Sequence, residues 1–208
     1  YTAEIEIKSG EVLSLNKLID EENVGEFFPT YDINKNFFLY ERKNDKKDKD
    51  IYYYIFETEE NGLLIKSSQN PILSYDSSLL GYWGKDSEGN FKSYFTEISY
   101  EDGEIILSKI TELPFNDVKE PIIFPDNNLV ALYFSNEQSS GGQNMIYNLE
   151  TEDLFEFSDE GDGCTHGSVS PSGEKYFCQS GNTLKFRSLI NDEWSEINKI
   201  VPDRSIYS

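Results

Sequence analysis

Four short stretches that align with one another without gaps decide the fold: PTYDINKNFFLY at residues 29–40, PILSYDSSLLGY at 71–82, PIIFPDNNLVAL at 121–132 and GSVSPSGEKYFC at 167–178. Each stretch has a short apolar run, a polar turn and a second, more hydrophobic run. This pattern predicts a strand, a tight turn and a second strand. The stretches recur about every 40–50 residues, a spacing that indicates a repeat architecture.

The remainder of each unit repeats as well. A third run follows a variable polar loop, an acidic or glycine-containing turn comes next, and a fourth run closes the unit. The third runs cover residues 51–56, 94–99, 144–148 and 183–187, and the fourth runs cover 63–65, 104–108, 154–157 and 194–199. Turns such as Asn61-Gly62 and Asp102-Gly103 supply the positive φ that two-residue hairpins need. Four strands in each unit are typical of a β-propeller blade.

The sequence therefore predicts an all-β fold, a single β-propeller domain of four-stranded antiparallel blades. A β-sandwich is the alternative fold, but it does not explain why four stretches of the sequence align without gaps. Full blades are expected at residues 27–68, 69–112, 118–158 and 164–201, with a partial blade at 1–26 and the start of another at 202–208. Because this division leaves the closing blade short of strands, we expect an incomplete ring that flanking sequence or a partner strand completes.

Charge and composition exclude several classes of function. The 208 residues carry 18 basic and 39 acidic side chains, a formal net charge of −21. Binding to nucleic acid through a basic surface is excluded, and a basic or neutral partner surface is expected. No apolar run reaches the length of a transmembrane segment. His166 is the only histidine, which excludes a multi-histidine metal site, and no glycine motif for a cofactor is present, so we expect none.

Two motifs near residue 160 leave alternatives open. Cys164 and Cys178 can form a disulfide in an oxidising compartment or remain thiols in a reducing one. Residues 159–163 read DEGDG, which can bind calcium through clustered carboxylates and carbonyls or form an acidic, solvated connection between blades. The spacing does not match an EF-hand loop, which favours the connection.

The turn residues also carry a family resemblance. Ser170-Pro171-Ser172-Gly173, and next Pro125-Asp126-Asn127, resemble the core of the TolB-type, WD-like propeller repeat, P-x-F-S-P-D-G-K-x-I-A-F. The resemblance covers nearly the whole chain and implies a periplasmic or extracellular bacterial protein. Its prolines, glycines and aspartates make turns and carry no chemistry. Since the family contains scaffolds, partner-binding modules and enzymes, the fold does not determine the function.

The same resemblance places the candidate binding residues. It implies that the loops between blades and those between second and third strands lie on one face, which we call the top face. The short turns lie on the opposite, bottom face. The polar, charged or aromatic residues expected on the top face are Glu26, Glu41, Arg42, Trp83, Lys85, Glu120, Ser135, Glu137, Asp162, His166 and Gln179. Mixed charge with one tryptophan suits a polar peptide or a glycan better than a deep apolar ligand.

We therefore expect a non-catalytic protein-interaction module or scaffold, with no catalytic and no metal-binding residues. One alternative is an enzyme, or a propeller attached to an enzyme, that acts on polysaccharide or peptide, with His166 as general base. A Ser-His-Asp triad with Ser168 or Ser170 is formally possible, but no G-x-S-x-G elbow is present. A further alternative is a carbohydrate-binding, lectin-like propeller that calcium stabilises.

Overall fold

Every regular element in the described part of the chain is a β-strand. The computed structural model describes residues 2–5, 12–16, 26–43, 48–116, 118–134, 142–158, 163–180, 183–190, 193–195 and 198–200. Within these ranges no helix has the length and apolar character that crossing a membrane requires.

Four antiparallel sheets follow one another along the chain. Blade 1 contains β3 (Glu26–Tyr31), β4 (Phe37–Lys43), β5 (Lys49–Ile55) and β6 (Asn61–Ile65). Blade 2 contains β7 (Ser68–Leu73), β8 (Leu79–Lys85), β9 (Phe91–Glu101) and β10 (Glu104–Glu112). Blade 3 contains β11 (Val118–Ile123), β12 (Leu129–Phe134), β13 (Gln143–Asn148) and β14 (Leu154–Glu156). Blade 4 contains β15 (Thr165–Val169), β16 (Lys175–Ser180), β17 (Thr183–Ile190) and β18 (Glu193–Trp194), and β19 (Asn198–Ile200) also pairs with β17.

These sheets are the blades of an all-β propeller, and the predicted fold class is confirmed. The first four strands of each blade form a meander in which each strand pairs with the next one, and β19 adds a second pairing to β17 in blade 4. Two more strands, β1 (Thr2–Ile5) and β2 (Val12–Asn16), form a separate antiparallel pair where the sequence predicts a partial blade. The predicted start of a further blade at 202–208 lies outside the described residues.

The first strand of each blade is the innermost one. β7 packs against β3, β11 against β7, and β15 against β11, so the first strands of successive blades are neighbours. Among the described residues, no fourth strand contacts an adjacent blade to a similar extent, and no extensive contact joins blade 4 to blade 1. A site on the inner strands can therefore receive side chains from several blades.

Alternate residues of each strand pack towards the two neighbouring blades. Phe37 and Leu39 of β4 join Leu80 of β8 in the core between blades 1 and 2. Phe95, Val118 and Leu132 fill the space between blades 2 and 3. These inter-blade cores explain why the second strands are the most hydrophobic runs in the sequence.

The core between blades 3 and 4 contains a disulfide between Cys164 and Cys178. Their Cα atoms lie 5.6 Å apart, and both residues are buried beside Ile122 and Tyr176. Of the two alternatives that the sequence leaves open, the structure contains the disulfide. It fastens the start of blade 4 to that blade's second strand.

Candidate functional site

The same irregularity interrupts the pairing of first and second strands in every blade. The register shifts between Phe27 and Thr30, Gln69 and Ile72, Lys119 and Ile122, and Thr165 and Ser168. Such a shift is a β-bulge, which bends a strand and changes the direction of a side chain. Because the bulges lie near the beginning of each inner strand, they lie towards the top face.

One residue in each bulge occupies the equivalent position. Phe28, Asn70 and His166 have φ values of 51°, 51° and 52°, in the left-handed region that non-glycine residues seldom adopt. Glu120 holds this position in blade 3, and its side chain is outside the described part. His166 therefore lies within β15, at a backbone position that the blades repeat, rather than in a loop ahead of the strand.

His166 has an exposed imidazole, with Nδ1 2.9 Å from the hydroxyl of Thr165. The adjacent Gly167 is packed tightly, because an added Cβ atom would lie 2.6 Å from the hydroxyl oxygen of Tyr176. Gln179 is opposite Thr165 in the strand register and is also exposed. The structure thus brings two of the candidate residues, His166 and Gln179, to the same end of blade 4.

Ser170 belongs to the opposite end of that inner strand. Its hydroxyl accepts the backbone N–H of Lys175 at 3.1 Å and lies 3.2 Å from the hydroxyl of Ser172, within the bottom turn. Four residues of extended strand span about 13 Å, too far for a hydrogen bond between Ser170 and His166. The geometry gives no support to a triad that contains Ser170.

A second group of candidate residues meets between blades 1 and 2. Glu41 is fully buried, and one of its carboxylate oxygens pairs with the ammonium of Lys49. The other oxygen accepts the backbone N–H of Asn70, the bulge residue of blade 2, at 3.0 Å. Lys49 Nζ also lies 5.7 Å from the centroid of the exposed Phe28 ring. Glu41 and Lys49 therefore connect the bulge of blade 1 to the bulge of blade 2.

Lys85 and Trp83 lie beside this group. The Lys85 ammonium donates to Asp48 at 2.6 Å and lies 5.4 Å from the centroid of the Phe91 ring. Trp83 packs on the same Phe91 ring at 4.7 Å. A cavity of about 130 Å³ adjoins Lys49, Lys85 and Phe91. That volume is below the usual range for a small-molecule site, so the region suits surface contact better than ligand enclosure.

The remaining candidates divide into three groups. Arg42 is half-buried, with its guanidinium 5.0 Å from the Tyr52 ring centroid. Glu26 and Glu120 lie in β3 and β11, and their side chains are not described. Ser135, Glu137, Asp162 and the acidic segment 159–162 lie outside the described residues. In the part of the chain that the structure describes, no three His, Cys, Asp or Glu side chains are grouped closely enough to hold a metal ion.

Sequence reasoning missed Phe28 and Asn70. Both residues immediately precede an aligned stretch, at Pro29 and Pro71, just as His166 precedes the stretch that begins at Gly167. The signal was therefore positional, one residue ahead of each repeat. No fixed residue type marks this position, because the bulge depends on how the first and second strands pair.

The bottom turns of blades 2 and 3 are bonded to each other. The side-chain amide of Asn127 donates to both carboxylate oxygens of Asp76 at 3.0 Å. Partial burial would raise the pKa of Asp76, but hydrogen bonds from Asn127, Ser74 and Ser78 outweigh it and lower that pKa to about 2. Asp76 therefore stabilises the packing of two blades as a carboxylate.

The architecture is similar to that of known propellers. No family model matches the sequence, and no curated protein matches it. The structure of TolB from Acinetobacter baumannii is 14% identical, with a TM-score of 0.60 over 93% of this chain and 49% of that one. A TolB structure from Agrobacterium tumefaciens is 15% identical, with a TM-score of 0.61 over 81% of this chain and 62% of that one.

The structure of the tricorn protease has a similar TM-score to this chain. It is 14% identical, with a TM-score of 0.62 over 95% of this chain and 24% of that one. The chain thus spans about half to three fifths of the TolB chains and a quarter of the protease. At these identities the likeness concerns the fold alone. The chain has a TolB-like β-propeller fold.

Proposed function

We propose that this chain is a non-catalytic interaction module that binds a protein partner through its top face. The repeated bulge is the observation that carries the proposal. It places Phe28, Asn70, Glu120 and His166 at equivalent positions on the four innermost strands. Convergent positions on a rigid scaffold are where several blades can contribute side chains to one contact.

The chemistry of the top face supports a protein partner. Phe28 is 49% exposed, and its ring offers apolar contact beside the partly exposed ammonium of Lys49. His166 and Gln179 add exposed polar groups on blade 4. Aromatic side chains next to polar groups are typical of the residues that contribute most to protein interfaces. The net charge of −21 favours a basic or neutral partner surface and disfavours nucleic acid.

We also propose a periplasmic or extracellular location. The disulfide between Cys164 and Cys178 supports it, because such bonds persist mainly in oxidising compartments. The likeness in fold to TolB structures is compatible with this location.

The four blades are, in this proposal, part of a ring that further strands complete. Phe38, Tyr40 and Tyr54 of blade 1 form a separate core cluster, distinct from the cluster that Phe37 and Leu39 form with blade 2. All three aromatic side chains of this separate cluster are buried. We assign this face to the partial blade at residues 1–26, to which β1 and β2 contribute outer strands. A crystal structure of the natural protein with a blade packed on Tyr40 would support this assignment, and an exposed Tyr40 would contradict it.

Matched substitutions test the binding face. The tagged protein and its variants are incubated with extract of the native organism, and retained proteins are quantified by mass spectrometry. We expect His166→Ala and Trp83→Ala to reduce the retained partner at least about fivefold. His166→Ala should change the melting temperature little, whereas Trp83→Ala should lower it, because Trp83 is half-buried and packs on Phe91. Glu57→Ala, an exposed change in a bottom turn, is the control and should leave retention unchanged. Loss of retention with the control alone would place binding on the bottom face.

The likeness to the tricorn protease favours a second candidate, a propeller domain that accompanies a peptidase. In that case the natural protein would cleave peptides, and the propeller would control access to a separate catalytic domain. An assay of the complete natural protein on fluorogenic peptides distinguishes the two candidates.

A further inference from the structure

The two faces of blade 2 differ in polarity along the outer strands. In β9 and β10 the residues directed towards blade 1 are apolar, as in Ile98, Tyr100 and Leu107, and they complete the core between blades 1 and 2. The intervening residues include Glu97, Ser99 and Ser108. Glu97 is opposite Ser108 and Ser99 is opposite Ile106 in the strand register, so these residues form one mostly polar surface directed towards blade 3.

Blade 3 does not cover this polar surface. Its outer strand β14 has three residues, whereas β10 has nine. The resulting cavity has a volume of about 740 Å³, within the range of ligand sites in proteins. Leu79, Phe95 and Leu149 contribute apolar surface, and Glu97, Ser108 and Glu150 contribute polar groups. Ser78, Asn127 and Glu150, in bottom turns of blades 2 and 3, also line the cavity.

The charges around the cavity are mostly negative. Glu97 and Glu150 line it, and Lys109, the cation that lines it, lies 3.4 Å from the Glu97 carboxylate. The neighbouring hairpins carry further carboxylates at Glu101 and Glu152, both exposed. A cationic ligand is therefore favoured, and a second copy of this chain, with its net charge of −21, is disfavoured.

We propose that this cavity binds an extended, basic peptide segment of a partner protein. The apolar surface of Leu79 and Leu149 suits aliphatic side chains. The hydroxyls of Ser99 and Ser108 donate to Glu101 and Glu97, so their oxygens can accept peptide N–H groups. Glu150 then pairs with a Lys or Arg side chain of the segment, and Glu97 pairs with another in exchange for its contact with Lys109. The site is on the face opposite the bulge residues, so it is independent of the top-face proposal.

Fluorescence anisotropy with defined peptides tests the proposal. The probe is a fluorescein-labelled octapeptide of alternating lysine and valine, and its glutamate–valine counterpart is the charge control. The first variant, Glu97→Gln/Glu150→Gln, removes two cavity charges. The matched variant, Glu57→Gln/Glu174→Gln, removes two exposed charges from bottom turns of blades 1 and 4. A third variant, Ser108→Trp, fills the cavity without changing its charge.

We expect the lysine–valine peptide to bind the natural sequence and the glutamate–valine peptide not to bind. The cavity double variant should weaken binding at least about tenfold, and the matched variant less than about twofold. Ser108→Trp should also weaken it about tenfold. Equal losses for the two double variants would show general attraction to an acidic surface and overturn the proposal. Absence of binding to the natural sequence, or unchanged binding to Ser108→Trp, would overturn it too. Circular dichroism melts confirm that each variant is folded.

Discussion

Replacing Glu41 by alanine should destabilise the protein without any partner being present. The carboxylate is fully buried, and it is bonded to the Lys49 ammonium and to the backbone N–H of Asn70. Removing one member of a buried ion pair costs about 3–5 kcal/mol, because the other charge is left uncompensated. The Lys49 side chain keeps 29% of its exposure, so water compensates part of that charge. We therefore expect a loss of about 3 kcal/mol in the free energy of unfolding.

Glu41→Gln separates the two contributions. The glutamine carbonyl can still accept the Asn70 N–H, whereas the attraction to the Lys49 ammonium is lost. Its expected cost is about 1.5–2 kcal/mol, at the lower end of the range for a single hydrogen bond to a charged group. Lys49→Met is the partner control, since it leaves the buried carboxylate without its counter-ion.

Urea denaturation followed by tryptophan fluorescence measures these differences at pH 7. The midpoint should fall in the order natural sequence, Glu41→Gln, Glu41→Ala, with an unchanged slope. A loss below about 1 kcal/mol for Glu41→Ala would refute the structural role of this carboxylate. In that case Glu41 would return to the set of residues available for binding.

Three further changes have defined outcomes. Hydrogen bonds from Asn127, Ser74 and Ser78 together outweigh burial and lower the pKa of Asp76 to about 2, so the stability that they contribute is present above about pH 4 and is lost as the pH falls towards 2. Asn127→Ala should lower stability by about 1 kcal/mol at pH 7, since Asp76 is exposed to water, and flatten the dependence of melting temperature on pH between 2 and 5. Reduction of the Cys164–Cys178 disulfide should cost about 3 kcal/mol in urea titrations, because the bond closes a loop spanning 14 positions. Leu80→Ala should cost about 2–5 kcal/mol by the same assay, since Leu80 is fully buried between two blades.

The blade architecture could be predicted because its signals are local. The turns between first and second strands contain residues such as Asp76 and Asn127, whose side chains and φ angles build the turn within a few positions. Alternation of residue types then identifies the strands on either side. The same local patterns reveal four copies of the repeat, although each copy shares few residues with the TolB-type repeat pattern.

The candidate site could be predicted only in part, because it depends on contacts between blades. Nothing local indicates that Phe28 adopts a positive φ, since bulky residues rarely do. Glu41 was expected at a binding surface, but its partner Asn70 lies 29 positions further along, in another blade. The cavity beside Glu97 likewise arises because β14 of the next blade is short. Each of these features requires knowing which strands become neighbours.

Site-specific photocrosslinking tests the central claim most directly. A benzophenone amino acid replaces His166 on the top face in one variant and Glu57 in a bottom turn in another. Each variant is irradiated in the native organism or its extract, and crosslinked products are identified by mass spectrometry. The account predicts a discrete crosslinked protein at position 166 and none at position 57. Crosslinks at position 57 alone, or at neither position, would contradict a protein-binding top face.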